Sequence, residues 1–435
     1  MDKIKLDKIT GSLVGLAIGD AMGAPYEFKA TGYEVKDNYI TGGTHNVSVG
    51  EWTDDTSMAL CLAQSLIDND NFNAKDQMDN YLSWYEDGYF STRDRCFDIG
   101  NTVSSALRKY KKTSEPYSGI KGDNNSGNCS LMRLAPIALR YYNKPNNLIG
   151  YAAKSSQTTH KSELAVDSCI FYAQLIAGAI NGFSKEKLLS KDFIKKDGLR
   201  SEVVSVINGS YRIDKLYRPT GYVINTLETA LMAFYRFDNF KDGLLHVISL
   251  GDDTDTVGAV YSQLAGAYYG YSNIDQKYKK EVQKHDMIYS IAQKLYDKSI
   301  EVPQESIDKV LSFLPYFSDN QKFTKDSCGE LENGVLSIPY IDYSDKVLEF
   351  LKILYSTDFI VNFNWAKWDE GREIISNNEL IKQSDLLTLR KLLTAIVRNE
   401  RFCEGVLIDA IENETIRIIL ESINKLQIEN RHKLK

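Results

Sequence analysis

A chain of 435 residues, 43% hydrophobic and 26% charged, is long enough for two globular domains with sizeable cores. Its net charge of −7 and pI near 5.5 exclude a general nucleic-acid-binding surface, so an anionic substrate would need local cations or backbone donors. The six cysteines (Cys61, Cys96, Cys129, Cys169, Cys328, Cys403) contain no C-x-x-C pair, which points to free thiols in a reducing, cytoplasmic setting.

Lysines at 3, 5 and 8 precede a short apolar run at 13–18. Asp2 and Asp7 interrupt the basic segment and Asp20 ends the run, so neither a leader peptide nor a membrane helix is expected. From there helical periodicity dominates. Helices are expected over 57–68, 99–110, 163–181, 223–237, 255–269 and 279–295, and strand-like alternation is rare. These elements predict an all-α domain over residues 1–317, a compact many-helix bundle. Its Gly- and Ala-rich stretches at 173–182 and 258–270 suit close helix approach. Residues 318–337 are polar, contain Gly329 and Gly334, and read as a linker. Amphipathic segments at 343–355, 386–398 and 414–426 then predict a small helical accessory domain over 338–435. Its 14 Lys and Arg against 16 Asp and Glu argue against a nucleic-acid module, leaving partner docking as its expected use.

Two acidic clusters carry the chemistry. Thr53-Asp54-Asp55-Thr56 and Gly251-Asp252-Asp253-Thr254-Asp255-Thr256 each stand directly before an apolar, small-residue helix. One such cluster is an ordinary helix cap. Two of them, with adjacent carboxylates that repel one another, suit a hard cation of the Mg2+ type held by oxygen. An EF-hand does not fit: counted from Asp253, no glutamate stands at position twelve. Elsewhere the residues alone allow bland readings. Glu27 reads as a surface acid, Asp98 as a helix cap and His160 as a structural hydrogen-bonder.

The motif order removes that ambiguity. Gly15-Leu16-Ala17-Ile18-Gly19-Asp20-Ala21-Met22-Gly23-Ala24 is followed by Glu27, then by Trp52-Thr53-Asp54-Asp55-Thr56. Gly127-Asn128-Cys129-Ser130-Leu131-Met132-Arg133-Leu134-Ala135-Pro136, Thr159-His160 and the second acidic cluster complete the series. Over residues 9–270 this series resembles the ADP-ribosylglycohydrolases, in particular the dinitrogenase-reductase-activating type. The resemblance implies an all-α fold, a binuclear Mg2+ site (Mn2+ in some members) and cleavage of the bond between a modified target and the distal ribose of ADP-ribose. It implies Thr53, Asp54, Asp55, Asp253, Asp255 and Thr256 as metal ligands, with Glu27 and Asp98 handling protons and charge. Gly127, Asn128, Ser130 and Met132 would cradle the pyrophosphate and ribose, and His160 and Tyr222 would contact substrate. The Phe97-Asp98-Ile99-Gly100 element favours ADP-ribosyl-arginine on an ADP-ribosylated protein as the substrate.

The chain departs from the family pattern at Asp252 and at Cys129, where glycine is usual. Two other readings stay open: a binuclear-metal nucleotide pyrophosphatase, and an ADP-ribose-binding protein without turnover. Residues 338–435, with Phe363-Asn364-Trp365-Ala366-Lys367-Trp368 and Arg398-Asn399-Glu400-Arg401-Phe402, resemble a small domain family of unknown function.

Overall fold

The structure, a computed structural model, describes residues 2–433 other than 70, 320, 326–340, 358, 362 and 364. Among the described residues the regular elements are helices, and extended pairing is confined to isolated bridges such as Gly127 with Tyr222. The all-α expectation holds. The chain divides into two compact units, residues 1–299 and 300–435.

This division falls earlier than the expected 318–337 linker. Ile307 and Val310 of the Gln304–Leu311 helix, and Phe317 of Leu314–Ser318, are buried in the same apolar core as Phe350, Leu392 and Ile419. Packing therefore assigns both short helices to the second unit. Most of the expected linker, 326–337, lies outside the described residues.

The first unit is organised by two antiparallel helices, Lys3–Gly23 and Thr254–Tyr269. Gly11, Gly15, Gly19 and Gly23, spaced four apart, share one face of the first helix, opposite Gly266, Ser262, Gly258 and Thr254. A Cβ on Gly15 would stand 2.9 Å from the Ser262 carbonyl oxygen, and one on Gly19 would overlap the Gly258 carbonyl. The backbones touch because nothing separates them. Leu16, Ala59, Ala135 and Ala259 close a small buried cluster beside this seam.

One sequence expectation changes. The helix expected over 279–295 is broken into Gln276–Glu281 and His285–Ile300. Lys284 takes a left-handed backbone (φ 55°), and Gln283 bonds the loop at 50–52 instead: its N–H donates to the Gly50 carbonyl and its carbonyl accepts from Trp52 Nε1, each at 2.9 Å. Glu163–Ile180 is, by length and composition, apolar enough to cross a membrane, but 78% of it is buried within the structure, as for a core helix. Cys61 and Cys169 are buried free thiols, Cys403 is exposed, and Cys328 lies outside the described residues.

Candidate functional site

The first acidic cluster is held by a residue from another helix. Asp20, fully buried near the end of Lys3–Gly23, accepts from the N–H groups of Thr53 (2.9 Å) and Thr56 (3.0 Å) and from both threonine hydroxyls (2.9 and 2.6 Å). It thus caps the Asp54–Asp68 helix from outside, because Thr53 at the N-cap makes no side-chain cap of its own. Burial raises the Asp20 carboxyl to about 6, with the four hydrogen bonds opposing the rise. Each threonine spends its proton on Asp20 and keeps its lone pairs for another partner.

The second cluster is tied to the Glu27 loop through the backbone. Phe28 N–H donates to the Asp252 carbonyl at 2.7 Å, and Asp252 N–H to the Lys29 carbonyl at 3.0 Å. Asp252 has φ 59°, in the left-handed region that glycine favours and that aspartate tolerates better than most residues. This accounts for the departure from the family's usual glycine. Asn128 Nδ2 orients Asp253 by donating to its Oδ2 at 2.7 Å while also donating to Thr226 Oγ1 at 2.9 Å.

The two loops meet at a cavity of about 550 Å³, lined by Glu27, Asp54, Asp98, Asp253, Asp255 and Thr256 among others. Carboxylate oxygens of Glu27, Asp253 and Asp255 lie within 4.8 Å of one another. Burial first, and neighbouring carboxylates second, push Asp54, Asp55 and Asp255 well above the usual aspartate range. Burial also raises Asp253 against the hydrogen bond from Asn128. Asp55 Oδ1 is buried without a hydrogen-bond partner. An all-oxygen donor set, an orphaned carboxylate oxygen and mutually repelling acids together fit a hard divalent cation.

A second grouping sits above them. His45 Nε2 lies 3.2 Å from Glu27 Oε2 and 3.4 Å from Asp98 Oδ1. The Glu27 contact is electrostatic, since its angle leaves both atoms without a true hydrogen-bond partner. Glu27 is the main cause that raises the His45 pKa; burial opposes it and Asp98 adds to it. Asp98 itself is raised to about 7, by burial and then by Glu27. The alternative reading of Asp98 as a helix cap fails: the helix is Asn101–Thr113, its N-cap is Gly100, and Asp98 takes φ 52° and lines the cavity. Arg93 pins the His45 loop. It forms a paired contact with Glu51 (2.8 and 2.9 Å), donates to the His45 carbonyl at 2.9 Å, and stacks 4.0 Å from the Phe97 ring centroid.

Gly127, Asn128, Met132 and His160 also line the cavity. Two expected contacts are not among the lining residues. Ser130 Oγ accepts from Ser156 Oγ at 2.9 Å and from Cys169 Sγ at 3.5 Å, which turns it into the packing behind the wall. Tyr222 contributes backbone: its bridge with Gly127 is closed by Asn128 N–H to the Gly221 carbonyl (3.1 Å) and Val223 N–H to the Ser126 carbonyl (2.9 Å). Thr53 and Asp55 are buried beneath the lining. Cys129 does line the cavity, and burial raises its thiol well above the ordinary value, so it is an inert wall atom.

A model of the ADP-ribosylglycohydrolase family matches residues 1–305. The chain belongs to that family. A second match, to a family of unknown function (DUF6508), covers residues 302–429. The chain is 37% identical over 293 residues to ADP-ribosylarginine hydrolase Tri1 of Serratia proteamaculans, covering 67% of this chain and 79% of the relative. It is 28% identical over 308 residues to the ADP-ribosyl-[dinitrogen reductase] glycohydrolase of Rhodospirillum rubrum, covering 66% of this chain and 97% of the relative. A solved structure titled ADP-ribosylglycohydrolase-related protein complex superposes with a TM-score of 0.62 at 38% identity, covering 68% of this chain and 99% of that one.

Within this ADP-ribosylglycohydrolase the sequence reading missed Asp20, His45 and Arg93. Asp20 carried a signal, an acid inside an otherwise apolar, glycine-spaced helix. His45 and Arg93 carried none, because their charged partners are distant in sequence and neither lies on a periodic element.

Proposed function

We propose that this chain removes ADP-ribose from modified arginine side chains by hydrolysing the glycosidic C–N bond at the distal ribose. The observation that carries the reading is the convergence of Glu27, Asp253 and Asp255 within 4.8 Å on the floor of a cavity large enough for a nucleotide sugar. Similarity to a protein named for arginine-linked ADP-ribose supports the choice of substrate. Thr53, Asp54, Asp55, Asp253, Asp255 and Thr256 would hold two Mg2+ ions. When bound, such ions orient ribose hydroxyls and lower the pKa of water.

The remaining chemistry belongs to the chain. Glycoside cleavage builds positive charge at the anomeric carbon, and a carboxylate at Glu27 stabilises it. Water adds to that carbon as the C–N bond breaks, Glu27 accepts the water proton, and the guanidine departs with the bonding pair and takes up a proton. Asp98, raised to about 7, can carry that second proton near neutral pH. His45 balances the two carboxylates. Residues 300–435 are proposed to dock a partner and to supply no catalytic group.

The test is release from a panel of peptides linked to ADP-ribose through arginine, serine or glutamate. Intact ADP-ribose from the arginine peptide supports the reading. AMP as product would favour the pyrophosphatase, and binding without turnover in Mg2+ or Mn2+ would favour the binding protein.

A further inference from the structure

Arg133 is a cation with no exposure, yet among the described residues it pairs with no carboxylate; it stacks 4.6 Å from the Tyr81 ring centroid, points Nη1 at Met58 Sδ (3.7 Å), leaves Nε without a partner and donates to oxygen through Nη2. Its shortest hydrogen bond, 2.8 Å, runs from Nη2 to Thr159 Oγ1, with longer ones at 3.4 Å to the Ser155 carbonyl and Thr158 Oγ1. Thr159 Oγ1 in turn lies 2.8 Å from His160 Nδ1. All three side chains are buried, so each proton on this path needs an acceptor.

That requirement fixes the direction. A guanidinium can only donate, so Thr159 Oγ1 accepts from Arg133. The hydroxyl proton must then go elsewhere, and among the described residues the acceptor within hydrogen-bond distance is His160 Nδ1. Were Nδ1 protonated, the Thr159 oxygen would accept twice and its own proton would be buried without a partner. Nδ1 is therefore the acceptor, and the ring proton sits on Nε2. Burial, and then the Arg133 charge, lower the His160 pKa to about 3, so the ring is neutral at working pH.

His160 Nε2 is buried, lacks a hydrogen-bond partner, and belongs to a ring that lines the cavity. Gly127 packs close to it: a Cβ there would stand 3.1 Å from Nε2, so only glycine leaves the atom this much room. We infer that Arg133 and Thr159 form a tautomer lock that holds His160 as a neutral Nε2–H donor aimed at an oxygen of the bound ligand. The identity of that ligand as ADP-ribose rests on the proposed function; the lock itself does not. Arg133 and Thr159 are positioning residues, acting through the imidazole. A neutral donor binds an oxygen without adding a cation that would compete for the nearby carboxylates.

The experiment uses the full chain labelled with 15N-histidine, and calorimetric titration with ADP-ribose. The wild-type spectrum should show His160 with a protonated Nε2 and a bare Nδ1. Thr159→Val, which removes the hydroxyl, should lose that single form and bind ADP-ribose about tenfold more weakly, the loss of one hydrogen bond. Thr159→Ser should restore both. The effect should fall on KM more than on kcat. A proton on Nδ1 in the wild type, or a Thr159→Val chain whose His160 keeps the Nε2–H form, overturns the lock. The wild-type spectrum decides the tautomer even if Thr159→Val fails to fold. A wild type with the Nε2–H form that binds no ADP-ribose would sink the reading of the ligand and leave the lock standing.

Discussion

In residues 1–299, Asp20, Glu27, Glu51, Asp54, Asp55 and Asp255 are buried, and their charge is only partly offset by Arg93, His45 and hydrogen bonds. Among the described residues of 300–435 the buried polar set includes Arg390 and several hydroxyls but no carboxylate, and the core is a continuous aliphatic and aromatic cluster. The second unit is therefore stabilised by packing in the ordinary way. The first carries a local cost that a ligand can remove, because buried like charges destabilise the fold that holds them. Where a chain tolerates such a cost, function is the physical reason to look for.

The sharpest way to break this contrast is to remove the repulsion. Asp55→Asn or Asp255→Asn should reduce turnover to background and abolish the rise in Tm that Mg2+ gives the wild type. Their stability in EDTA should match or exceed that of the wild type. Full turnover with an unchanged Mg2+ response would show that these acids are not ligands. Next, Glu27→Gln should slow release by about 10²–10⁴-fold while ADP-ribose binding persists, since it removes a proton acceptor and little volume. Near-normal rates would shift that role to Asp98.

A change in the other unit should do the reverse. Leu392 is fully buried, so Leu392→Ala should cost about 2–5 kcal/mol of that unit's stability and leave release from a small arginine-linked peptide unchanged. Lost turnover in a folded variant would erase the division of labour.

The smallest effect is a pH trend. Asp20 and Asp98 hold their protons to about 6 and about 7 in the folded chain, above the ordinary aspartate value of 3.8. Between those values and 3.8 the folded state binds more protons than the unfolded one, so the acid cluster's contribution to stability falls as pH rises through that window. In EDTA, Tm should drift downward from acid to neutral pH, and the increment from Mg2+ should grow over the same range. A metal increment independent of pH would argue against these carboxylates as its source.

Much of this site was readable because acids and threonines stood beside small apolar helices in a fixed order. Thr53 to Thr56 and Asp253 to Thr256 are local patterns, and local patterns survive in sequence. What escaped depended on long-range packing. Asp20 looked like one more helical residue until Thr53 and Thr56 came to it. His45 sits in a loop with no periodicity, and its two carboxylate partners come from separate segments. For Asp98 the motif indicates a role at the site, but periodicity starts the helix two residues early and so allows a cap that Gly100 in fact provides. The 279–295 helix was broken by hydrogen bonds to residues 50–52, which periodicity cannot register.

The glycine seam between the Lys3–Gly23 and Thr254–Tyr269 helices has a consequence for alignment. A face with glycine at every fourth position is nearly self-similar, so sliding one helix by a turn, about 5.4 Å, again sets small residues against backbone. Something other than shape must choose the notch. Ser12 Oγ donates to the Gln263 carbonyl at 2.8 Å, and Thr254 Oγ1 to the Gly23 carbonyl at 2.9 Å. These two hydroxyls act like the marks of a vernier, one within the seam and one at its end. Thr254 adjoins Asp255, and Gly23 stands four residues before Glu27. A slip of one notch would draw the carboxylates of the two loops apart by a full turn, so two buried hydroxyls far less conspicuous than the acids set the spacing on which the acids depend.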